Sequence, residues 1–550
     1  MEAMHQNSKR VFFSGVLLLS LSTILVKVIG LIYKIPMLSY LGSEGMGYFH
    51  SAYEIYALFC IIATAGLPVA LSVLVSEALA KGNKERVKRT YRAAMRIFLL
   101  LGAIGTLVMW LFADQFCLWL RSENAYACMR SIAPTVFFVC VSSAVRGFFQ
   151  GYQKMLPTAL SQLIEAVGKL VFGLLFAHFA LERGCGPSDV AASAGWGLTL
   201  GTALSALYLL IEKKRFDTAQ AKEKTGESSA SETDARHIWR HLGKLALPMT
   251  LGASLVSLTK LVDMTMILRR LQDVGYSESA ANEAFGSYTT LALSVYGLLP
   301  TLLNALFLPL VPMLSSAIAS GERARQGEIV NTCYRLTSFC AMPAAIGVSA
   351  FARPILSLLF SNEPEAVDLA APLLSMLGVS VFLSCMISAT NSVLHAYQVV
   401  NRPILSMVLG AAIKAVIAYV LIGNATVGIM GAPISTLFCN LTVVLLNLLF
   451  ASPKSGKIPL FKTFFRPAAL SLLSVGSAYC LYLFLTQRMG ESAFLSLGCI
   501  GIAALIYVCL SLLGGALSKE DILALPMGER ICRVLQKIHL IEDAEKEGKF

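Results

Sequence analysis

The sequence contains few charged residues. Only 14% of its 550 residues are Asp, Glu, Lys or Arg, whereas a soluble globular chain carries about 25%. So little charge cannot cover a surface that faces water, which excludes an ordinary soluble protein. Apolar residues make up 56% of the chain, which excludes a disordered protein, because disorder requires low hydrophobicity and high charge. The composition therefore predicts an integral membrane protein.

Motifs for catalysis, metal binding and disulfide bonding are also missing. The 13 cysteines fall mostly inside apolar runs and no CxxC spacing occurs, so we expect buried thiols rather than a disulfide framework. The chain has no phosphate-binding loop, no HExxH and no nucleophile elbow, and its seven histidines are scattered. The sequence therefore predicts no catalytic residues, no metal and no other cofactor.

The sequence does contain many long apolar runs. A membrane-spanning helix needs about 20 apolar residues, and we identify 14 such runs in the chain. They predict an all-α polytopic membrane protein with 14 transmembrane helices. The predicted spans are 11–38, 52–79, 94–113, 129–149, 157–180, 189–211, 244–267, 286–318, 333–352, 369–395, 404–423, 428–451, 465–486 and 493–517.

Lysine and arginine are distributed unevenly between the two sides of this predicted topology. Of the 45 basic residues, 33 fall in one set of connecting segments, 7 in the opposite set and 5 inside the spans. Basic residues accumulate on the cytoplasmic side, which places both termini in the cytoplasm. The net charge of +12 then reflects topology and contact with anionic membrane lipids, and we expect no nucleic acid as a partner.

The two halves of the chain resemble each other. The unit of repetition is six helices, an even number, so the second copy enters the membrane in the same direction as the first. Such parallel repeats place a binding site between the two halves. At an offset of 245, Tyr152, Gln153 and Lys169 match Tyr397, Gln398 and Lys414, and at an offset of 239, Phe112 and Ala113 match Phe351 and Ala352.

A polar, low-complexity stretch separates the halves and predicts a flexible cytoplasmic linker. The last residues are too polar to span the membrane, and we expect either an amphipathic helix on the inner leaflet or a solvated helix end. The predicted organisation is an N-terminal six-helix lobe at 1–211, the linker at 212–243, a C-terminal six-helix lobe at 244–451, helices 13 and 14 at 452–517, and a cytoplasmic tail at 518–550.

Several charged side chains lie inside or at the edges of the predicted spans. Each costs about 2.5–3.5 kcal/mol in the hydrocarbon and therefore needs a partner or a wet cavity. Lysines outnumber carboxylates among them, and this surplus of positive charge favours an anionic substrate. We predict as substrate-binding residues Lys27, Lys34, Lys169, Lys260, Lys414 and Arg146, and as ion-pair or coupling residues Glu54, Glu165 and Asp263.

The spacing leaves alternatives open for most of these residues. Lys34 could extend to the outer headgroups, and Arg146 could simply mark the inner interface. Glu165 and Lys169, at i and i+4, could neutralise each other, as could Lys260 and Asp263. Glu54 could pair with Lys34 or respond to a coupling ion.

Three segments resemble a known superfamily. These are Arg146–Tyr152 with the following Met155–Ala159, Gly66–Pro68 with Ser76, and Gly428–Ala432. They resemble the polysaccharide-export branch of the multidrug/oligosaccharidyl-lipid/polysaccharide (MOP) exporter superfamily, in particular the stage V sporulation protein B group, which is related to the MurJ-type lipid II flippases.

This resemblance implies two six-helix lobes in a V, a central cationic cavity, and a groove between helices 13 and 14 for a polyprenyl tail. It also implies alternating access and an undecaprenyl-pyrophosphate-linked saccharide as substrate. The MurJ pattern has Arg-Asp where this chain has Tyr33-Lys34. We infer that Lys27 and Lys34 do the equivalent work.

The sequence therefore predicts a flippase for a lipid-linked anionic saccharide in the bacterial plasma membrane. We expect a monomer without a cofactor, driven by a Na⁺ or H⁺ gradient or by the membrane potential, and working beside cell-wall synthesis proteins. The main alternative is a cation-coupled multidrug antiporter of the same fold. A non-transporting membrane scaffold is a third, but a scaffold gains nothing from charges inside its spans.

Overall fold

The computed structural model describes residues 2–221, 234–307, 310–399, 401–455 and 459–513. These residues form helices and the short turns between them, and no strand occurs in this part of the chain. The predicted all-α class is confirmed. Residues 222–233 of the predicted linker and the whole of the predicted tail at 518–550 lie outside the described residues, whereas 212–221 and 234–243 of the linker are helical.

The chain divides into two compact units, Met1–Thr290 and Leu291–Phe550. The predicted lobe boundary at 244 was derived from the internal repeat, whereas the boundary between the compact units, after Thr290, is defined by packing. The predicted domain limits therefore stay a prediction. The described helices of the first unit are α1 (Glu2–Thr64), α2 (Gly66–Ala80), α3 (Lys84–Leu111), α4 (Ala113–Leu120), α5 (Tyr126–Gly151), α6 (Leu156–Glu182), α7 (Pro187–Ala221), α8 (Asp234–Asp273) and α9 (Glu278–Ser287).

The second unit is built around a core in which α12, α14 and α16 meet, with Tyr334, Met386 and Val444 buried in it. A smaller apolar cluster joins α17 and α18 to this core through Phe351 and Tyr482. The helices of this unit are α10 (Leu293–Phe307), α11 (Leu310–Ala319), α12 (Arg323–Ala350), α13 (Ala352–Leu359), α14 (Pro364–Ala396), α15 (Asn401–Ile422), α16 (Gly431–Ser455), α17 (Arg466–Met489) and α18 (Ala493–Leu513).

Ten described helices are long and apolar enough to cross a membrane, or eleven if the bent pair α12–α13 counts as one span. The chain is therefore a multi-pass membrane protein. The first two predicted spans fall in the segment Leu21–Ala80, in which two helices meet at a kink at Gly42, whose φ of 66° and ψ of 174° are not helical. The predicted spans 244–267 and 286–318 are not among the ten, and the number 14 stays a prediction.

The backbone of the two units matches at the offsets seen in the sequence. Helices α3 and α12 both contain 28 residues, and α4 and α13 both contain 8. Gln153 and Gln398 both have a φ of 59°, an unusual left-handed conformation for a residue other than glycine. Each lies just after a helix end, of α5 and of α14. The sequence similarity is thus accompanied by the same local geometry.

Helices α1 and α9 cross at glycines. A Cβ atom added to Gly47 would overlap the backbone carbonyl of Asn282, and one added to Gly286 would overlap the carbonyl of Ser43. Small residues allow this close approach of backbones in membrane helices. The crossing fixes α9 against the part of α1 that carries the charged residues described below.

We expect Gly47→Ala to lower the stability of the protein by roughly 1–3 kcal/mol, because overpacking of a rigid backbone contact cannot be relieved by a side-chain rotation. The matched control is Gly30→Ala on the same helix, where a Cβ would have nothing within 4 Å. The measurement is the thermal unfolding temperature of the purified protein in detergent. Equal unfolding temperatures for the two variants would contradict the close crossing.

Several hydrogen-bonded polar side chains connect the end of α4 to the end of α8. The Arg121 guanidinium donates to Oδ1 of Asp273 at 2.5 Å, and Arg270 donates to Oδ2 of the same carboxylate at 2.9 Å. Gln272 donates to the backbone carbonyl of Arg121 at 2.6 Å. The hydrogen bonds from Arg121 and Arg270 lower the pKa of Asp273. These bonds therefore favour the ionised carboxylate.

A lowered pKa in the folded state makes this group stabilising at neutral pH. Its contribution is fully present above the unfolded-state pKa of about 4 and is lost as the pH falls through the lower folded value. Because the pair is partly exposed, we expect it to contribute at most about 1 kcal/mol. Comparing the unfolding temperature of the wild type and Asp273→Asn at pH 7 and pH 3 tests this. The difference between them should be smaller at pH 3.

Candidate functional site

Charged side chains from three helices of the first unit lie close enough to interact. Lys27, Lys34 and Glu54 come from α1, Lys169 from α6 and Lys260 from α8. Lys27 interacts electrostatically with Lys260, and Lys34 interacts with Lys169, Lys260 and Glu54. We call these five residues the charge cluster. The structure thus brings together side chains that are more than 200 positions apart in the sequence.

Lys34 and Lys169 are held in this cluster by specific contacts. The Lys34 ammonium donates to the backbone carbonyl of Thr289 at 3.3 Å. That carbonyl belongs to a π-helical segment, Tyr288–Ala292, directly after α9. The Lys169 ammonium lies 5.5 Å from the ring centroid of Tyr33, in the range of a cation–π interaction.

Glu54 is the carboxylate of the cluster. It interacts electrostatically with Lys260, Lys34 and Asp263, so one carboxylate is shared by two lysines. Lys260 is exposed and Asp263 is half-buried, one turn further along α8. The positive charge of the cluster exceeds the negative charge, as the sequence predicts for an anion-binding site.

Arg146 lies in a hydrogen-bonded network that joins α5, α6 and α7. Its guanidinium contacts the Glu165 carboxylate at 2.8 Å, the Ser161 hydroxyl at 2.9 Å and the Ser205 hydroxyl at 3.3 Å. The sequence spacing favoured a Glu165–Lys169 pair. In the structure Glu165 hydrogen-bonds to Arg146 and interacts with Lys169 only at longer range. The ion pair therefore forms between helices rather than along one.

Lys414 belongs to the second unit and is 6% exposed. It interacts electrostatically with Tyr296 of α10, whose hydroxyl accepts a hydrogen bond from Asn440 at 3.1 Å. The lysine is thus placed among polar groups in the interior of its unit and is not directed outward from it. The functional roles of Lys414 and of the other predicted site residues stay predictions.

His50 is the residue that sequence reasoning missed. It lies on α1 one turn before Glu54, is 7% exposed, and interacts electrostatically with Lys34, Lys169 and Lys260. In the sequence it follows two aromatic residues and gives no motif. The only available signal was its spacing of four residues from Glu54, which puts both on one helix face.

The arrangement can bind an anion by charge. The four ammonium groups outnumber Glu54 and the neighbouring carboxylates Asp263 and Glu165. This surplus produces a local positive potential, which is strongest where water is excluded. Among the described residues, no group of three or more His, Cys, Asp or Glu side chains is placed to hold a metal ion.

The family model described as polysaccharide biosynthesis protein matches residues 12–318, and the MatE model matches residues 282–420. The first match alone covers more than half of the chain.

Two similar curated proteins come from Bacillus subtilis (strain 168). One is lipid II flippase MurJ, 25% identical over 416 residues that cover 73% of this chain and 76% of the relative. The other is stage V sporulation protein B, 24% identical over 538 residues that cover 95% of this chain and 99% of the relative.

Solved structures show the same fold. A lipid II flippase MurJ in an inward closed conformation has a TM-score of 0.68 at 15% identity and covers 90% of this chain and 98% of its own. An inward-facing multidrug resistance MATE family transporter of the MOP superfamily has a TM-score of 0.62 at 15% identity, covering 80% of this chain and 98% of its own. The chain belongs to the polysaccharide biosynthesis protein family, and it shares its fold with a lipid II flippase and with a MATE transporter of the MOP superfamily.

Proposed function

We propose that the protein is a flippase that moves a polyprenyl-diphosphate-linked saccharide across the bacterial plasma membrane by alternating access. The observation that carries the proposal is the charge cluster, in which the four lysines outnumber Glu54 even when the neighbouring carboxylates Asp263 and Glu165 are counted with it. A diphosphate is the charged part of such a substrate, and ammonium groups in a low-dielectric site attract it. The names of the two Bacillus subtilis relatives, a lipid II flippase and a sporulation protein, support a cell-wall or spore-wall precursor.

The finer architecture belongs to the same proposal. Fourteen helices would form two parallel six-helix repeats, with helices 13 and 14 accepting the polyprenyl tail and both termini in the cytoplasm. The protein would act as a monomer beside cell-wall synthesis proteins. A substrate shifts a two-state transporter only through different affinities for its two states. The remaining driving force would come from a Na⁺ or H⁺ gradient or from the membrane potential, which supplies about 2.3 kcal/mol per charge per 100 mV.

The proposal is tested in bacteria depleted of their own lipid II flippase. Expression of this chain is expected to restore the lipid-linked precursor on the outer face of the membrane, measured by its accessibility to an externally added enzyme or antibiotic that binds it. No precursor at the outer face, with normal amounts of the protein in the membrane, would contradict the proposal.

A cation-coupled drug antiporter is the second candidate, favoured by the MatE match over residues 282–420. An antiporter for cationic drugs needs carboxylates available to the drug, whereas Glu54 lies among lysines. Efflux of a cationic dye from the same cells, without precursor exposure, would favour the antiporter.

A further inference from the structure

His50 has a buried ring nitrogen for which the described residues provide no hydrogen-bond partner. Its side chain is 7% exposed, and its Nε2 atom has no hydrogen-bond partner. Nearly all buried polar atoms in native proteins have a partner, so an exception requires an explanation. The hydroxyl groups of Ser51 and Thr290, which are also buried, likewise lack a partner.

The surroundings of this imidazole indicate the kind of partner that is missing. Three ammonium groups interact electrostatically with His50, namely Lys34 from its own helix, Lys169 from α6 and Lys260 from α8. An acceptor that enters this environment gains most if it is negatively charged. A hydrogen bond between an N–H and an anionic oxygen is also about twice as strong as one between neutral groups.

Lysine and histidine would contribute differently to such a site. An ammonium group on a flexible four-carbon chain attracts an anion without fixing its orientation. An imidazole buried on a helix points its N–H in one direction. The lysines would therefore provide attraction, and His50 would orient one oxygen of the anion.

We propose that His50 is a further substrate-binding residue, whose Nε2–H donates a hydrogen bond to a phosphate oxygen of the lipid-linked substrate. This inference rests on the proposed function and deepens it, because it assigns the diphosphate end of the substrate to the region between α1, α6 and α8.

The test measures binding of undecaprenyl diphosphate to the full-length protein in lipid nanodiscs, with undecaprenol, which lacks the phosphates, as the reference ligand. His50→Met removes the donor and is expected to weaken binding of the diphosphate at least about tenfold, the change that corresponds to roughly 1.4 kcal/mol. His50→Gln, whose amide nitrogen lies near the position of Nε2, is expected to retain binding. His178→Gln is the matched control, since that histidine is paired with Glu182 outside the charge cluster.

Two results would overturn the inference. Unchanged diphosphate affinity in His50→Met would mean that a buried water suffices as the partner of Nε2. Equal weakening of both ligands would mean a purely structural role. If His50→Met does not fold, His50→Asn replaces it, because its shorter amide cannot reach the Nε2 position. Loss of diphosphate binding in the asparagine variant but not in the glutamine variant would support the donor, and equal affinities would refute it.

Failure of the proposed function gives a different result. A wild-type protein that binds undecaprenyl diphosphate no better than undecaprenol would contradict phosphate recognition itself. A wild type with a clear preference for the diphosphate that His50→Met retains would contradict only the role of His50.

Discussion

Glu165→Ala is expected to destabilise the protein by about 3 kcal/mol. Glu165 is the carboxylate that hydrogen-bonds to the Arg146 guanidinium at 2.8 Å, and the two side chains are 27% and 15% exposed. Removing one partner of a largely buried ion pair leaves the other charge without compensation, which costs about 3–5 kcal/mol when burial is complete. The hydroxyls of Ser161 and Ser205 would remain, but they carry no opposite charge.

The measurement is thermal or denaturant unfolding of the purified protein. The matched control is Glu322→Ala, which removes an exposed pair with Arg325 and should change the stability little, because surface ion pairs are screened by water. A double variant that replaces both Arg146 and Glu165 by apolar residues of similar volume should recover much of the loss. If Glu165→Ala is no more destabilising than Glu322→Ala, the network does not stabilise the structure as described.

Lys27→Ala and Lys260→Ala are expected to reduce flipping at least about tenfold each. Both lysines are exposed and interact electrostatically with each other, so their truncation should leave the fold unchanged. A charged hydrogen bond or ion pair to the substrate phosphate contributes about 1.5–3 kcal/mol, and a tenfold change corresponds to about 1.4 kcal/mol. The measurement is precursor exposure in the depleted strain described above.

Lys27→Arg, which keeps the positive charge, should retain most of the activity. Lys81→Ala is the control, because this exposed lysine lies in the turn after α2, away from the charge cluster. In the double variant, Lys27→Ala with Lys260→Ala, the fold-loss of activity should be smaller than the product of the two single fold-losses, because the two charges act on one ligand. Full flipping activity of both single variants would show that the charge cluster does not take part in transport.

The helices could be predicted because their signal is local. A run of about 20 apolar residues identifies a span by itself, and the all-α class followed directly. The predicted spans 11–38 and 52–79 lie on either side of Gly42, where two helices meet, but the kink itself could not be located from the sequence. A glycine in an apolar sequence is equally compatible with a turn, a kink and a close crossing.

The sequence indicated most residues of the charge cluster, but it did not indicate which side chains contact each other. A charge inside an apolar span is conspicuous, and Lys34, Glu54 and Lys169 were found in this way. Sequence spacing, however, indicates only ion pairs within one helix, such as Glu165 with Lys169. It could not indicate that Glu165 pairs with Arg146, which is 19 positions away on another helix. The sequence gives only a four-residue spacing from Glu54 as a signal for His50, whereas the lysines that interact with this histidine include two from distant segments.

One pair of matching helical stretches in the two units differs in length by four residues. The helical stretch Glu123–Gly151 of the first unit contains 29 residues, and its counterpart Pro364–Ala396 contains 33. Four residues correspond to about one helical turn, so the longer copy extends roughly 6 Å further at its beginning while nearly the same face continues inward. The two copies of a duplicated helix can therefore differ in length while the same side chains stay buried, provided that the added residues make up whole helical turns. An insertion of two residues would instead rotate the preceding turns by about 200° and expose the buried face.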